Sequence, residues 1–387
     1  MDTRAMIGQI KDQFPQAEDI CYLNHAAVSP WPKCTSEAVS LFAQENLVRG
    51  AQHYPKWLKE EQTLRENLRK LINADSTDEI ALAKSTSEAL SIIAYGIEWQ
   101  EGDEVIISNQ EFPSNRIVWE SLSQFGVKLI IANIQEGNSA QAISQHLNPK
   151  TKLVSISSVQ YTSGLYTDLE SLSISCHKNN TLLCVDAIQS LGVIPFDQQK
   201  IQADFIVADG HKWLMAAEGL ALMYINKKHI DQLKLHQYGW HMIEEKGNYN
   251  KKSWEPAKNA TRFECGSPNM LGIHALNASL EFILEIGIEN IYKQLQFRVQ
   301  ELLDQLNTIN DIHFNSDIES PAKSGIVNFN IPNIDSQLLY QELMKQGVIC
   351  ANRGGGIRFS PHFYTTEACI KNAVDKLKIL IEAKIPS

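Results

Sequence analysis

The middle of this chain switches repeatedly between two hydrophobic periods, and that alternation narrows the folds open to it. Short apolar, β-branched runs stand at 104–108, 127–132, 152–157, 181–186, 203–208 and 219–225. Amphipathic stretches of helical length separate several of them, at 114–124, 140–146 and 169–179. Residues 75–82 leading into 85–95 read as a further strand-to-helix transition. Strand–helix–strand repetition of this kind predicts βαβ units around a mostly parallel sheet.

The pattern changes after Gly266. Two helices are expected in succession, at 269–287 and 288–306, then short strands at 325–330, 348–352 and 357–360. Helices at 336–347 and 366–383 complete the region. The expected architecture is α/β, with a large domain on a mostly parallel central sheet and a smaller C-terminal α/β domain. The expected divisions are an N-terminal segment at 1–20, a large domain at 21–265 and a small domain at 266–387. A chain of 387 residues suits two such domains.

Composition excludes several functions. The net charge is -10, from 45 acidic against 35 basic residues, the wrong balance for neutralising a phosphate backbone. Nucleic acid is therefore not an expected partner. No run approaches the roughly 18 apolar residues of a membrane span, so no membrane is expected either. The seven cysteines are scattered, with no CxxC pair, which argues against a disulfide framework or a zinc site. The opening residues, MDTRAMIGQIKDQF, hold no apolar core of signal-peptide length. A cytoplasmic location is expected.

The motifs that would bind nucleotides or hydrolyse peptides are absent: there is no GxGxxG after a strand, no GxxxxGK[ST], no HExxH and no GxSxG. The run Gly354–Gly356 opens no helix and reads as a tight turn between strands. The positive signal lies at strand ends. Asp186 closes TLLCVD, and Ala208-Asp209-Gly210-His211-Lys212-Trp213 follows the apolar run at 203–208. Ligands of α/β proteins bind at the carboxyl edge of the sheet. A lysine partly shielded from water there can lose its proton and attack a carbonyl. A carboxylate nearby would keep a pyridine ring protonated. That pairing is the arrangement of pyridoxal phosphate. Lys84-Ser85-Thr86-Ser87-Glu88 adds a hydroxyl-rich helix start where N–H groups converge, suited to a phosphate. Each piece alone is unremarkable: an N-cap, a turn aspartate, a surface lysine. Their order and strand context carry the inference.

At these residues the sequence resembles the class V aminotransferase family of fold-type I pyridoxal phosphate enzymes, which includes cysteine desulfurases, isopenicillin N epimerase and cystine C–S lyase. The similarity runs through YLNHAA, STSEAL, VDAIQSLG, ADGHKW, RFECGSPN and GIRFSPHFYTTEA. The resemblance implies that Lys212 forms the Schiff base and shuttles the Cα proton. It implies that Asp186 pairs with the pyridine nitrogen and that Gln189 bonds the ring's phenolic oxygen. Thr86, Ser87 and His211 would hold the phosphate. Ser267 would reach the neighbouring subunit's phosphate, which implies a homodimer with shared sites. Arg358 would grip the substrate carboxylate, with Arg353 as a second site arginine.

Three departures stand out. Phe112, in Glu111-Phe112-Pro113, replaces the usual ring-stacking histidine and cannot transfer protons. The family's frequent asparagine is missing from 158–164. Cys350 does not match the loop position of a desulfurase's nucleophilic cysteine. The expected activity is aminotransferase-type chemistry on a small α-amino acid, with C–S lyase or desulfurase-type chemistry next. A cofactor-binding protein with little catalysis is the reading from another class.

Overall fold

The computed structural model describes residues 10, 12–134, 138–318 and 324–383. Half of the expected segment 1–20, residues 1–9 and 11, therefore lies outside the described residues. Strand β1 (Cys21–Tyr22) opens the fold. Seven strands then build one sheet: β2 (Ile80–Ala83), β3 (Glu104–Ser108), β4 (Lys128–Ala132), β5 (Thr151–Ser157), β6 (Leu182–Asp186), β7 (Phe205–Asp209) and β8 (Ala221–Ile225). Their spatial order is β2-β8-β7-β6-β5-β3-β4. β8 runs antiparallel to both of its neighbours, and all other pairings are parallel.

Every residue of β7 and β8 is buried. Helices cover both faces of such strands, which is why they read as continuous apolar runs rather than as alternation. The strand order reverses between β3 and β5. From β3 the chain moves outward to β4, and then returns to the other side of β3 for β5, β6 and β7. The loops leaving β3 and β5 diverge at that point and open a crevice at the carboxyl edge.

Two helices that the sequence patterns did not signal, Lys33–Arg49 and Tyr54–Ile72, pack against helix Met270–Ile286. Asn67 donates to Asn277 across this contact at 2.8 Å. The following helix, Ile288–Leu306, has the expected bounds. Among the described residues, no single helix is long and apolar enough to cross a membrane.

A second, four-stranded antiparallel sheet contains β9 (His313–Phe314), β10 (Val327–Asn330), β12 (Ala351–Arg353) and β13 (Gly356–Phe359), in the order β12-β13-β10-β9. The single strand expected at 348–352 is in fact two. β11 (Val348–Ile349) pairs in parallel with β1, whereas β12 pairs with β13. The chain changes sheets at Cys350. Residues 21–24 are thus hydrogen-bonded to the C-terminal part of the chain, with Asn24 bridging Ser360. The seven-stranded and four-stranded sheets fall on either side of residue 265, but helix Met270–Ile286 packs against helices Lys33–Arg49 and Tyr54–Ile72 from the earlier part of the chain.

Candidate active site

The crevice at the strand reversal is built first by Glu111, three residues beyond β3. Its buried carboxylate accepts hydrogen bonds from the Ser108 hydroxyl at 2.7 Å, Gln160 Nε2 at 2.8 Å and Asn115 Nδ2 at 2.8 Å. Ser157, which closes β5, donates its N–H at 3.1 Å and its hydroxyl at 2.5 Å. A carboxylate with this many donors locks the two diverging loops together. Phe112 follows directly and is 40 % exposed. Its ring meets Tyr161, on the loop after β5, at 5.1 Å and 81°.

Asp186 ends β6 and Lys212 follows β7, the neighbouring strand. Both are buried. Burial pushes the Asp186 carboxyl up to about 7 against the pull of Lys212 and of the Ile188 N–H, which donates to it at 3.1 Å. Burial pushes the Lys212 amine down to about 8, opposed by Asp186 and assisted by Arg358. Removal from water disfavours the charged form of each group. The amine therefore has a substantial neutral, nucleophilic fraction near neutral pH. Its Nζ lies 5.6 Å from the centre of the Phe112 ring.

The third element is the start of helix Thr86–Gly96, where the Ser85 side chain caps by accepting the Glu88 N–H. Thr86 is buried and its hydroxyl has no partner. A buried hydroxyl left unpaired at a helix N-terminus is a ready donor to an anion. Ser87 donates to Ser114 at 2.8 Å, tying this helix to the loop that carries Phe112. His211 Nδ1 faces Asp209 Oδ1 at 2.8 Å. A buried lysine with a lowered pKa, a buried aspartate and an orphaned hydroxyl fit pyridoxal phosphate: Lys212 for the aldehyde, Asp186 for the ring nitrogen and Thr86 with Ser87 for the phosphate.

Gln189 is more committed than the sequence suggests. Its Nε2 donates to Ala26 O at 3.0 Å and its Oε1 accepts the Trp213 indole N–H at 2.8 Å. One amide hydrogen remains for the ring's phenolic oxygen. Ser267 is exposed ahead of helix Met270–Ile286 and makes no side-chain hydrogen bond among the described residues.

The substrate side is formed by the β12–β13 hairpin. Arg358 is 2 % exposed and donates to Tyr161 O at 2.6 Å and Asn24 Oδ1 at 3.5 Å, while its Nε has no partner. Arg353 is exposed and donates to its neighbour's carbonyl, Asn352 O, at 2.9 Å. The turn between the strands is Gly354-Gly355, with φ of 56° and 77°. Two central residues with positive φ make a tight hairpin turn that glycine allows. A Cβ on Gly354 would meet Thr162 Cγ2 at 2.1 Å, so the hairpin also seats closely on the loop after β5. Cys350 is buried, and burial pushes its thiol up to about 12.

The structure thus brings Lys212, Asp186, Phe112 and Arg358 to one crevice, with Arg353 at its edge. It also adds Glu111, Gln160, Tyr161 and Asn24, which were not singled out as site residues. The signal available for Gln160 and Tyr161 was their place just past an apolar strand, the same rule that exposed Asp186.

The aminotransferase class-V family model matches residues 21–372. A probable cysteine desulfurase of Pyrococcus abyssi is 30% identical, with 97% of each chain covered. Another, from Methanothermobacter thermautotrophicus, is 28% identical over 92% of this chain and 94% of that protein. Among solved structures, the apo cysteine desulfurase from Thermococcus onnurineus superposes with a TM-score of 0.87 at 22% identity, covering 97% of this chain and 98% of that one. A complex of the cystine C-S lyase C-DES with its reaction product cysteine persulfide superposes with a TM-score of 0.85 at 24% identity, covering 94% and 99%. The chain therefore belongs to the class-V aminotransferase family, and its fold is that of the fold-type I pyridoxal phosphate enzymes.

Proposed function

We propose that this protein uses pyridoxal phosphate to cleave the Cβ–S bond of a small sulfur-containing α-amino acid, releasing the sulfur on the departing fragment and not onto an enzyme cysteine. The observation that carries this reading is the β12–β13 hairpin. It turns within Gly354-Gly355 and contains no cysteine, while Cys350 beside it is buried with a raised pKa. The relatives named probable cysteine desulfurase support sulfur chemistry, while the hairpin itself carries no cysteine to store a persulfide.

When bound, the cofactor supplies an electron sink that stabilises negative charge at Cα. Lys212 would hold it through the amine and, once displaced, move the Cα proton. An amine whose pKa burial lowers can both accept and return that proton at ordinary pH. Asp186 supplies the negative charge that keeps the ring nitrogen protonated. Arg358 would hold the substrate by its carboxylate and so fix its orientation at the cofactor. Phe112, beside the Lys212 amine, would pack on the cofactor's ring and has no proton to transfer.

The active unit is proposed to be a cytoplasmic homodimer in which Ser267 of each subunit completes the other's phosphate site. Amino-group transfer, the first expectation from the sequence, would use the same lysine. Incubation with a panel of amino acids separates the readings. Pyruvate with thiol or sulfide supports cleavage. Pyridoxamine phosphate with an intact carbon–sulfur bond shows transfer. Absence of turnover across the panel would leave a cofactor-binding protein.

A further inference from the structure

Strand β1 gathers a second cluster of reactive groups, away from the crevice. The Cys21 N–H donates to Gly347 O at 2.8 Å and the Leu23 N–H to Ile349 O at 2.9 Å, so both face β11. Strand geometry alternates, and the Tyr22 N–H between them therefore faces the other way. Helix Glu367–Glu382 packs against β1. Its first turn sets the Cys369 sulfur in hydrogen-bond contact with both the Tyr22 N–H and the Cys21 thiol. Thr366 caps this turn by accepting the Cys369 N–H at 3.2 Å, which fixes the residue's place.

The two thiols are not equivalent. The hydrogen bond from Cys369 pulls the Cys21 thiol below its ordinary range against the effect of burial, and the Lys376 ammonium and Asn372 add to that pull. Lys376 is held there by donating to Gln346 O at 2.7 Å. The same thiol contact, together with burial, keeps the proton on Cys369. Cys21 is thus the nucleophile, and Cys369 is a protonated thiol touching it. A nucleophilic cysteine beside a resolving one is the arrangement of a reversible redox site. Cys21 is 3 % exposed and Cys369 is half-buried, which leaves no room for a bulky disulfide as oxidant.

We infer that Cys21 and Cys369 form a redox site at which a small hydroperoxide closes a reversible disulfide. The Cys21 thiolate attacks one peroxide oxygen: an S–O bond forms, the O–O bond breaks, and hydroxide leaves and takes up a proton as water. Cys369 then attacks the sulfur of the Cys21 sulfenic acid. The S–S bond forms, the S–O bond breaks, and the oxygen departs as water with the Cys369 proton. Two thiols are oxidised and one peroxide is reduced to two waters. The bond draws the sulfurs to about 2.05 Å. It fastens to the last helix the segment that carries Asn24 and Ala26, the partners of Arg358 and Gln189.

The test treats the cofactor-loaded enzyme with hydrogen peroxide, blocks the remaining thiols and maps the peptides by mass spectrometry. A Cys21–Cys369 disulfide should form, and dithiothreitol should remove it. Because this cross-link closes nearly the whole chain into a loop, the oxidised protein should melt a few degrees higher than the reduced one. In Cys369→Ser the reaction should stop at Cys21, whose sulfenic acid dimedone traps. Cys21→Ser should slow the oxidation of Cys369 at least about ten-fold. The wild-type arm decides even where a serine variant folds poorly. Both thiols left reduced by peroxide, a disulfide from either one to another cysteine, dimedone labelling as fast at Cys369 as at Cys21 in the two variants, or a lower melting temperature after oxidation would overturn the inference.

Discussion

Lys212 Nζ and the Phe112 ring centre are 5.6 Å apart, and the same ring meets Tyr161 edge-on at 5.1 Å. The phenyl group, 40 % exposed, thus lies beside a buried amine. Burial is the largest cause of the low Lys212 pKa, so removing the ring should act through water. In the cofactor-free protein, Phe112→Ala is expected to raise the amine's pKa and to move upward the pH at which added pyridoxal phosphate condenses with it. Lost stacking should also weaken cofactor retention by about 2–10-fold, as measured by dialysis. An unshifted condensation profile with normal retention would mean that the ring shields neither the amine nor the cofactor.

Asp186 gives a pH signature with a definite sign. Its carboxyl ionises near 3.8 when unfolded and at about 7 in the cofactor-free fold. The folded state then holds the proton where the unfolded state has lost it. The associated stability is complete below about 3.8 and is lost as pH rises through about 7. The melting temperature of cofactor-free wild type should therefore fall between about pH 5 and pH 7 by a few degrees more than that of Asp186→Asn. Calorimetry on both proteins checks it, and parallel curves would remove Asp186 as the cause. In the loaded enzyme the same variant should lose about 100-fold or more in kcat, because the ring nitrogen loses its anion.

Arg358 predicts a split between binding and chemistry. Arg358→Ala should raise KM about 100-fold for any α-amino acid the enzyme accepts, with a smaller change in kcat. Arg358→Lys should recover little, since an ammonium cannot reproduce the fork that reaches Tyr161 O and Asn24 together. A KM that stays put in both variants would mean that the carboxylate binds elsewhere.

The sheet was legible because burial on both faces turns its central strands into apolar runs, and Asp186 and Lys212 were legible because they end or follow such runs. Helix Lys33–Arg49 left no signal. It buries only Thr35 and leaves Leu41, Leu47 and Val48 exposed, so no apolar stripe marks it. The break at Cys350 was equally hidden. A period of two reports which residues share a face, not that the chain has changed sheets. Glu111 could not be read as a clamp, because its donors Ser157 and Gln160 lie more than forty residues downstream. Such networks exist only once the strand order is known.

Cys350 decides how sulfur would leave. It sits where the chain passes from β11 to β12, 1 % exposed and packed within the core. Burial pushes its thiol up to about 12, although the nearby Arg358 charge pulls the other way. Attack on sulfur requires the thiolate, and at neutral pH a thiol of that acidity provides almost none. A smaller side chain there removes one sulfur from the core, a loss of about 1 kcal/mol that the fold should tolerate. Cys350→Ala is therefore expected to keep at least about half of the wild-type kcat on every accepted amino acid, with a slightly lower melting temperature. The measurement is sulfide or thiol release alongside pyruvate, with mass spectrometry of the protein after turnover to look for an added sulfur. If Cys350→Ala bound the cofactor normally yet released no sulfur, and the wild type carried a persulfide at Cys350, release on the departing fragment would be refuted and storage on the enzyme would replace it.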